Sequence, residues 1–378
     1  MFCWLSGLFS AWALGAVFLL PYWVLLITGS IDILPSHFSP SAWHQHEMIF
    51  GVFAPIIIGF LFTAVPNWTG VASPRGRPLL ILAILWFLGR VCVFFGALLP
   101  PFLPMAVDFL LLPVAITGIA PAIFKTGNKR NYFLPIMLMV FALFNLCSHL
   151  AAVDVLAIDE NNFFIAALLF VVMLMNVTGG RVAPNFLKNK YPDVKQVTPK
   201  ILLPCSMVSI VASMVFILFE FDQRLIGFSA LAAGTFVLIR LLGWRGWIVI
   251  ADPLMIILHI GILWIALGFF LMSYAYLVDN GFIVLSYHAF SVGAAGSLTL
   301  GVTSRGILGH SGRPINNDAL ITTFLILINI AAISRILTPL MVDYYSNLLF
   351  VSALCWVMAY LLFLIRFIPL VLKPQVTP

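Results

Sequence analysis

The uncharged stretch VFAPIIIGFLFTAV, Val52–Val65, decides the fold class of this 378-residue chain. It directly follows SAWHQHEMIFG, Ser41–Gly51, which contains two histidines and a glutamate. Similar apolar runs recur along the whole chain: 63% of the residues are hydrophobic, only 8% are charged, and the mean hydropathy is +1.13. Soluble domains carry about 25% charged residues. The composition therefore predicts an integral membrane protein, with metal-ligating side chains at the edge of one of its spans.

The apolar runs predict an all-α polytopic bundle of about twelve transmembrane helices, because a bilayer core of about 30 Å needs about 20 apolar residues per helix. The first run lacks a basic leading segment and a small-residue cleavage site, so we interpret it as a retained helix and not as a signal peptide. The predicted spans are 9–28, 43–65, 79–99, 103–124, 133–155, 163–182, 201–221, 225–242, 252–274, 281–303, 319–341 and 346–370.

The distribution of basic residues predicts the orientation of the bundle. Sixteen of the nineteen Lys and Arg residues lie at the ends of even-numbered spans, in the loops that follow them, or at the C-terminal end. Basic loops stay on the cytoplasmic side, so both termini are expected to face the cytoplasm. SAWHQHEMIFG then lies at the outer face. The net charge of +6 is explained by topology and gives no reason to expect a nucleic-acid partner.

The loops are too short to hold a soluble domain. The longest predicted loop, about 183–200, lies between the sixth and seventh spans. We therefore expect one transmembrane domain over residues 1–378, in which a six-plus-six arrangement would give halves of about 1–190 and 191–378. The scattered cysteines lack a paired motif and are expected to be small buried residues.

Four histidines are predicted to share one layer near the outer face. At a rise of about 1.5 Å per residue, His44, His46, His149 and His288 each lie roughly 7–11 Å inside the outer end of their helix. Ionisable groups at membrane depth face the bundle interior, and imidazole is a frequent ligand of iron, copper and zinc. The layer therefore predicts a metal or haem site.

The H-x-H spacing constrains that site. Residues two apart on a helix point about 200° apart, so His44 and His46 are expected to do different jobs. Glu47 follows His44 by three residues and lies on the same side of the helix. It is therefore predicted to accept the second ring proton of His44.

The inner half of the chain holds a second group of predicted site residues. His259 lies about seven residues into the ninth span from the inner side, and Asp252 with Pro253 is predicted to cap that helix. His310, Arg305 and Arg313 form a basic turn after the tenth span that could hold propionates, another anionic ligand or lipid headgroups. His37, in the outer loop, receives no role.

Several motifs together resemble the NnrS family. They are WHQHEMIFG (43–51), FLFTAVPNWTG (60–70), GGRVAPNF (179–186), ADPLMIILHIGILW (251–264) and YHAFSVGAAGSLTLGVTSRGILGHSGR (287–313). The resemblance implies a bacterial inner-membrane protein of about twelve spans that contains haem, taken to be b-type, and copper, and that is linked to nitric oxide and nitrosative stress. It also implies that the motif histidines His44, His46, His259, His288 and His310 bind the cofactors; His149 is added on its depth.

The sequence therefore favours a haem- and copper-binding protein that handles nitric oxide or iron-nitrosyl species. Whether nitric oxide is only bound or is also reduced stays open, and no catalytic residue or electron donor is identified. A transporter that uses its histidines for metal or proton coupling is one alternative, since glycines and prolines interrupt several spans. A metal-free membrane scaffold or assembly factor is another.

Overall fold

The computed structural model describes residues 2–372, with side chains for residues 11–129, 131–309 and 311–370. This part of the chain contains helices and no strand, which confirms the all-α fold class. Its twelve long helices are α1 Phe2–Ile27, α2 Pro40–Thr69, α3 Arg77–Phe94, α4 Phe102–Lys125, α5 Phe133–Ala152, α6 Glu160–Lys190, α7 Leu202–Leu218, α8 Gln223–Gly243, α9 Pro253–Leu277, α10 Asn280–Gly309, α11 Ala319–Leu337 and α12 Val342–Leu370.

Ten of the described helices are long and apolar enough to cross a membrane. Two shorter apolar helical stretches are α7 and Ala11–Ile27, the part of α1 whose side chains are described. Each predicted span overlaps one helix, so the expectation of a multi-pass membrane protein agrees with the structure. The inward orientation of both termini stays a prediction.

Several predicted boundaries differ from the helix ends, and two of them have a physical explanation. The third span was expected to reach residue 99, but α3 ends at Phe94, and the chain then turns before the Pro100–Pro101 pair, which cannot supply helical N–H donors. The sixth span was expected to end at residue 182, whereas α6 continues to Lys190 with Pro184 inside it. The loop predicted from 183 is therefore helical over its first part.

The chain divides into two compact units. The first contains the residues up to Ala167, and the second is Leu168–Phe367, so the division falls inside α6. The sequence suggested a division near residue 190, in the loop after that helix. The two units are described separately below.

Each unit contains one helix with a π-helical segment. In α2 the segment is Glu47–Phe53, directly after His46; in α10 it is Ala289–Gly296, directly after His288. A π-helix closes its hydrogen bonds over five residues in place of four, and such segments are frequent at functional sites. In both helices the turn geometry changes next to a predicted metal-ligating histidine.

Candidate metal centre

The start of α2 separates the two histidines of the H-x-H motif. Ser39 caps the helix by accepting a hydrogen bond from the backbone N–H of Ala42 at 3.3 Å, and Pro40 occupies the first turn. His46 is fully buried. The ring of His44 instead stacks on Trp23, with centroids 4.5 Å apart and planes 9° apart. The two side chains thus have different surroundings, as the spacing predicted.

His46 belongs to a set of seven polar side chains that we call the polar cluster. Its members come from α2, α3, α4, α5 and the loop before α2, all in the first unit, and six of them are buried. Hydrogen bonds or ion pairs link them all. The polar cluster consists of His37, His46, Glu47, Arg90, Asp108, Asn145 and His149.

Asp108 lies at the centre of the polar cluster. Its Oδ2 is 3.1 Å from Nε2 of His46 and 3.5 Å from Nε2 of His149, and it accepts a hydrogen bond of 2.7 Å from the amide of Asn145. Its Oδ1 pairs with the guanidinium of Arg90. Only 2% of Asp108 is exposed, so this carboxylate is held entirely by protein groups.

Glu47 supports His46 and not His44, contrary to the prediction from spacing. Its Oε1 lies 3.2 Å from Nδ1 of His46 and accepts a hydrogen bond of 2.8 Å from Arg90. The carboxylate belongs to the first turn of the π-helical segment, where it is buried beside the neighbouring ring. Buried Oε2 of Glu47 has no hydrogen-bond partner among the described residues.

His37 extends the polar cluster into the loop before α2, although the sequence gave it no role. Its Nε2 is 2.9 Å from Nδ1 of His149, so one of these nitrogens donates to the other. Burial, together with repulsion from the nearby imidazoles of His149 and His46, lowers the pKa of His37 to about 3. Neutral His37 is therefore the form that the fold favours at physiological pH.

Three glycines make room for the polar cluster. A Cβ on Gly89 would lie 2.7 Å from Oδ1 of Asp108, and a Cβ on Gly51 would lie 2.8 Å from Nη1 of Arg90. A Cβ on Gly96 would overlap the ring of His37. These distances are shorter than van der Waals contact, so the polar groups occupy the space that a larger residue would fill.

The geometry of the polar cluster suits a metal ion. One donor atom from each of His46, Asp108 and His149 lies within 4.8 Å of the other two, and all three residues are buried. Two carboxylates, those of Glu47 and Asp108, face one guanidinium, that of Arg90. Both ring nitrogens of His46 also face carboxylate oxygens, so a protonated His46 can supply the second positive charge. A metal ion bound at Nε2 would take the place of one of its protons.

The second unit holds the other two described histidines. Nδ1 of His259 lies 3.0 Å from the carbonyl oxygen of Met255, and Nδ1 of His288 lies 2.8 Å from that of Val284. A carbonyl only accepts, so each Nδ1 carries a proton, and in the neutral imidazole the lone pair is then on Nε2. This is the tautomer that a metal-ligating histidine adopts. Nε2 of His259 is buried and has no partner among the described residues.

Asp252, predicted to cap the ninth span, also forms an ion pair. Asp252 caps α9 through the N–H of Met255 at 3.2 Å, as predicted, and pairs with Lys190 at 2.7 Å. Although burial alone would raise it, the pKa of Asp252 is lowered by its hydrogen bonds from Lys190 and Asn317.

The basic turn after α10 is described only in part. The guanidinium of Arg305 lies 4.2 Å from the ring centroid of Phe186, and Nη1 of Arg313 is buried without a partner among the described residues. The side chain of His310 lies outside the described residues.

Sequence reasoning missed Arg90, Asp108 and Asn145 as site residues. A usable signal was present, because Arg90 and Asp108 are ionisable groups inside consecutive predicted spans, where such groups usually pair. Asn145 precedes His149 by four residues and therefore lies on the same helix face. Neither signal identified the partners, which depend on how the helices pack.

Comparison with protein families gives a match over most of the chain. The family model described as NnrS protein matches residues 7–375, nearly the whole chain. No curated protein matches the chain.

Proposed function

The chain belongs to the NnrS family, and from this premise we propose that it is a haem- and copper-binding protein of the bacterial inner membrane that handles nitric oxide or iron-nitrosyl species. Membership in the family supports a role linked to the nitric oxide response. The observation that carries the metal part of the proposal is the buried group of His46, Asp108 and His149.

The donor set fits a first-row transition metal. Donor atoms bound about 2.0–2.1 Å from one ion lie about 3 Å apart. Nε2 of His46 and Oδ2 of Asp108 are 3.1 Å apart, and Nε2 of His149 is 3.5 Å from the same oxygen. Two imidazoles and a carboxylate suit copper, iron or zinc. Family membership favours copper among them.

The remaining members of the polar cluster would orient the three ligands. Nδ1 of His46 faces the Glu47 carboxylate, and Nδ1 of His149 faces Nε2 of His37. A hydrogen bond at the second ring nitrogen fixes the tautomer and the orientation of a ligating histidine. Arg90 and Asn145 hold the Asp108 carboxylate in the same way.

The histidines of the second unit are the proposed haem ligands. His259 supports this best, because its Nδ1 is occupied by a backbone carbonyl and its buried Nε2 is unpartnered among the described residues. Gly246 leaves space beside its ring, where a Cβ would lie 2.6 Å from Cγ of His259. When bound, the metal ions would supply open coordination positions for a neutral diatomic ligand such as nitric oxide. The apolar surroundings would exclude water and admit that ligand from the lipid.

Metal analysis with an optical spectrum tests the proposal. We expect purified wild-type protein to contain copper and to show a haem absorption band. His46→Ala, Asp108→Asn and His149→Ala should each lose copper by at least about tenfold in affinity, the loss typical of a disturbed metal site, with haem retained. His259→Ala should lose haem and retain copper.

His44→Ala is the matched control. It removes the other histidine of the H-x-H motif, whose ring stacks on Trp23 outside the polar cluster, and should leave the copper content unchanged. A copper content equal to that of wild type in His44→Ala, His46→Ala, Asp108→Asn and His149→Ala would refute the copper site. Colourless, metal-free wild-type protein that exchanges a substrate across liposomes would refute the whole proposal in favour of a transporter.

A further inference from the structure

Arg240 is a buried cation of the second unit that the proposed function does not use. It lies in α8 and is only 5% exposed. Its Nη1 donates to the carbonyl oxygen and to Oδ1 of Asn176 at 3.0 and 3.1 Å, and its Nη2 donates to the carbonyl oxygen of Gly180 at 3.0 Å. Every acceptor is a neutral oxygen, so the hydrogen bonds leave the positive charge in place.

One of these hydrogen bonds has a structural cause in α6. The carbonyl of Gly180 would normally accept from the N–H of residue 184, but Pro184 has none. Arg240 supplies the missing donor. Gly180 also has to be glycine, because a Cβ there would overlap the guanidinium. Arg240 therefore stabilises the part of α6 that extends beyond the predicted span.

The hydrogen bond to the Gly180 carbonyl needs an N–H donor at residue 240 but does not need a positive charge there. All thirteen acidic residues of the chain have described side chains, and none lies within ion-pairing distance of Arg240. Arg181 lies close enough for its positive charge to repel that of Arg240. Among the residues with described side chains, the guanidinium also contacts the Trp244 ring, whose centroid is 5.2 Å from Cζ.

Arg90, the buried arginine of the first unit, is neutralised by carboxylates, unlike Arg240. Arg90 pairs with both Glu47 and Asp108. A buried charge without a counter-charge costs several kcal/mol, and an ionisable residue inside a membrane bundle commonly marks a ligand or an ion pathway. The uncompensated charge of Arg240 therefore requires an explanation that its hydrogen bonds to α6 do not provide.

We propose that Arg240 forms a binding site for the carboxylate or oxyanion group of a ligand. A guanidinium is planar and presents parallel N–H groups that match such an anion. Asn176 fixes one side of the site, since its amide donates to Oγ of Ser206 at 2.9 Å and thereby turns Oδ1 towards Arg240. The site lies in the second unit and is independent of the polar cluster.

Titration of the purified full-length protein tests the site. Sodium nitrite, sodium acetate and sodium phosphate serve as free-anion probes in isothermal titration calorimetry, at constant ionic strength. A lipid source is tested by reconstitution in nanodiscs of phosphatidylcholine with and without phosphatidylglycerol, followed by native mass spectrometry of the retained lipid. Saturable binding of one free anion, or selective retention of the anionic lipid, is the expected result in wild type.

The variants separate the charge from the structural role. Pro184→Ala restores the missing N–H in α6, so the double variant Pro184→Ala/Arg240→Gln should fold without the guanidinium. We expect it to bind the anion at least tenfold more weakly, while Pro184→Ala alone binds like wild type. Arg224→Gln, which removes an exposed arginine of α8, is the matched charge control and should bind normally.

Two outcomes would overturn the proposal. One is a folded wild type that binds none of the free anions and retains no anionic lipid selectively. The other is a double variant that binds them as tightly as Pro184→Ala does. Metal content is not part of this readout, so failure of the anion site and failure of the metal centre are distinguishable.

Discussion

Replacing Arg90 by methionine should destabilise the protein strongly, because it removes the guanidinium that pairs with two buried carboxylates. Nη1 of Arg90 is 2.8 Å from Oε1 of Glu47, and Nη2 pairs with Oδ1 of Asp108. The two carboxylates are 1% and 2% exposed, so water cannot replace the guanidinium. Methionine conserves much of the apolar stem of arginine, and the loss is mainly electrostatic.

The magnitude follows from two opposing terms. At an effective dielectric constant of about 20, two opposite unit charges about 4 Å apart attract by about 4 kcal/mol, and Arg90 makes two such pairs. Removing the guanidinium also removes its own desolvation cost of several kcal/mol. The expected net loss in the free energy of unfolding is about 3–5 kcal/mol, as for other buried pairs that lose one partner.

Reversible unfolding in mixed micelles, followed by tryptophan fluorescence, would measure this loss. The double variant Arg90→Met/Glu47→Gln should recover part of it, with a coupling free energy of about 0.5–3 kcal/mol between the two sites. Arg75→Met, at an exposed position, is the control and should change the stability by no more than about 0.5 kcal/mol. An Arg90→Met variant within 1 kcal/mol of wild type would show that the carboxylates are not ionised together.

Three further predictions concern packing, capping and pH. Gly89→Ala places a Cβ 2.7 Å from the Asp108 carboxylate and should cost about 1–3 kcal/mol in chemical denaturation. Gly306→Ala, with nothing within 4 Å of the new Cβ, should instead stabilise by about 0.4–1 kcal/mol. Ser39→Ala removes the cap of α2 and should lower the free energy of unfolding by about 0.5–2 kcal/mol; an unchanged value would mean that the cap is dispensable. The pKa of Asp252 is below its ordinary 3.8, so its contribution to stability is present above about pH 4 and is lost as pH falls through the folded-state pKa. Asp252→Asn should therefore flatten the loss of stability below about pH 4, and an unaltered pH profile would contradict this.

The fold was largely predictable because each span must satisfy its own backbone hydrogen bonds within lipid. Hydropathy alone therefore located the twelve helices. The misplaced boundary of α6 shows the limit, since the polar stretch after residue 182 remains helical to Lys190. Next to that extension, Arg240 donates a hydrogen bond to the carbonyl of Gly180, which lies 60 residues away in the sequence. A pattern read within one segment contains no information on such a contact.

The candidate site was predictable in part. Helical spacing showed that His44 and His46 point in different directions, but the side that faces the bundle depends on the neighbouring helices. His149 was found by its depth, and the structure brings it to His46, with ring centroids 5.1 Å apart. His37 was missed because its approach depends on the path of a loop and on the space left by Gly96. Neither feature follows from periodicity.

The π-helical segment of α2 has a consequence for how this helix can vary. Compared with an α-helix, the segment has one extra residue in a hydrogen-bonded turn. The part of α2 before the segment is therefore rotated about the helix axis by roughly 100° relative to the part after it. The part before the segment ends at His46, the segment begins with Glu47, and the part after it, Ala54–Thr69, has no charged residue. The direction in which side chains point is thus set independently before and after the segment. Substitutions can adapt the part after the segment to its neighbouring helices without turning His46 away from the polar cluster.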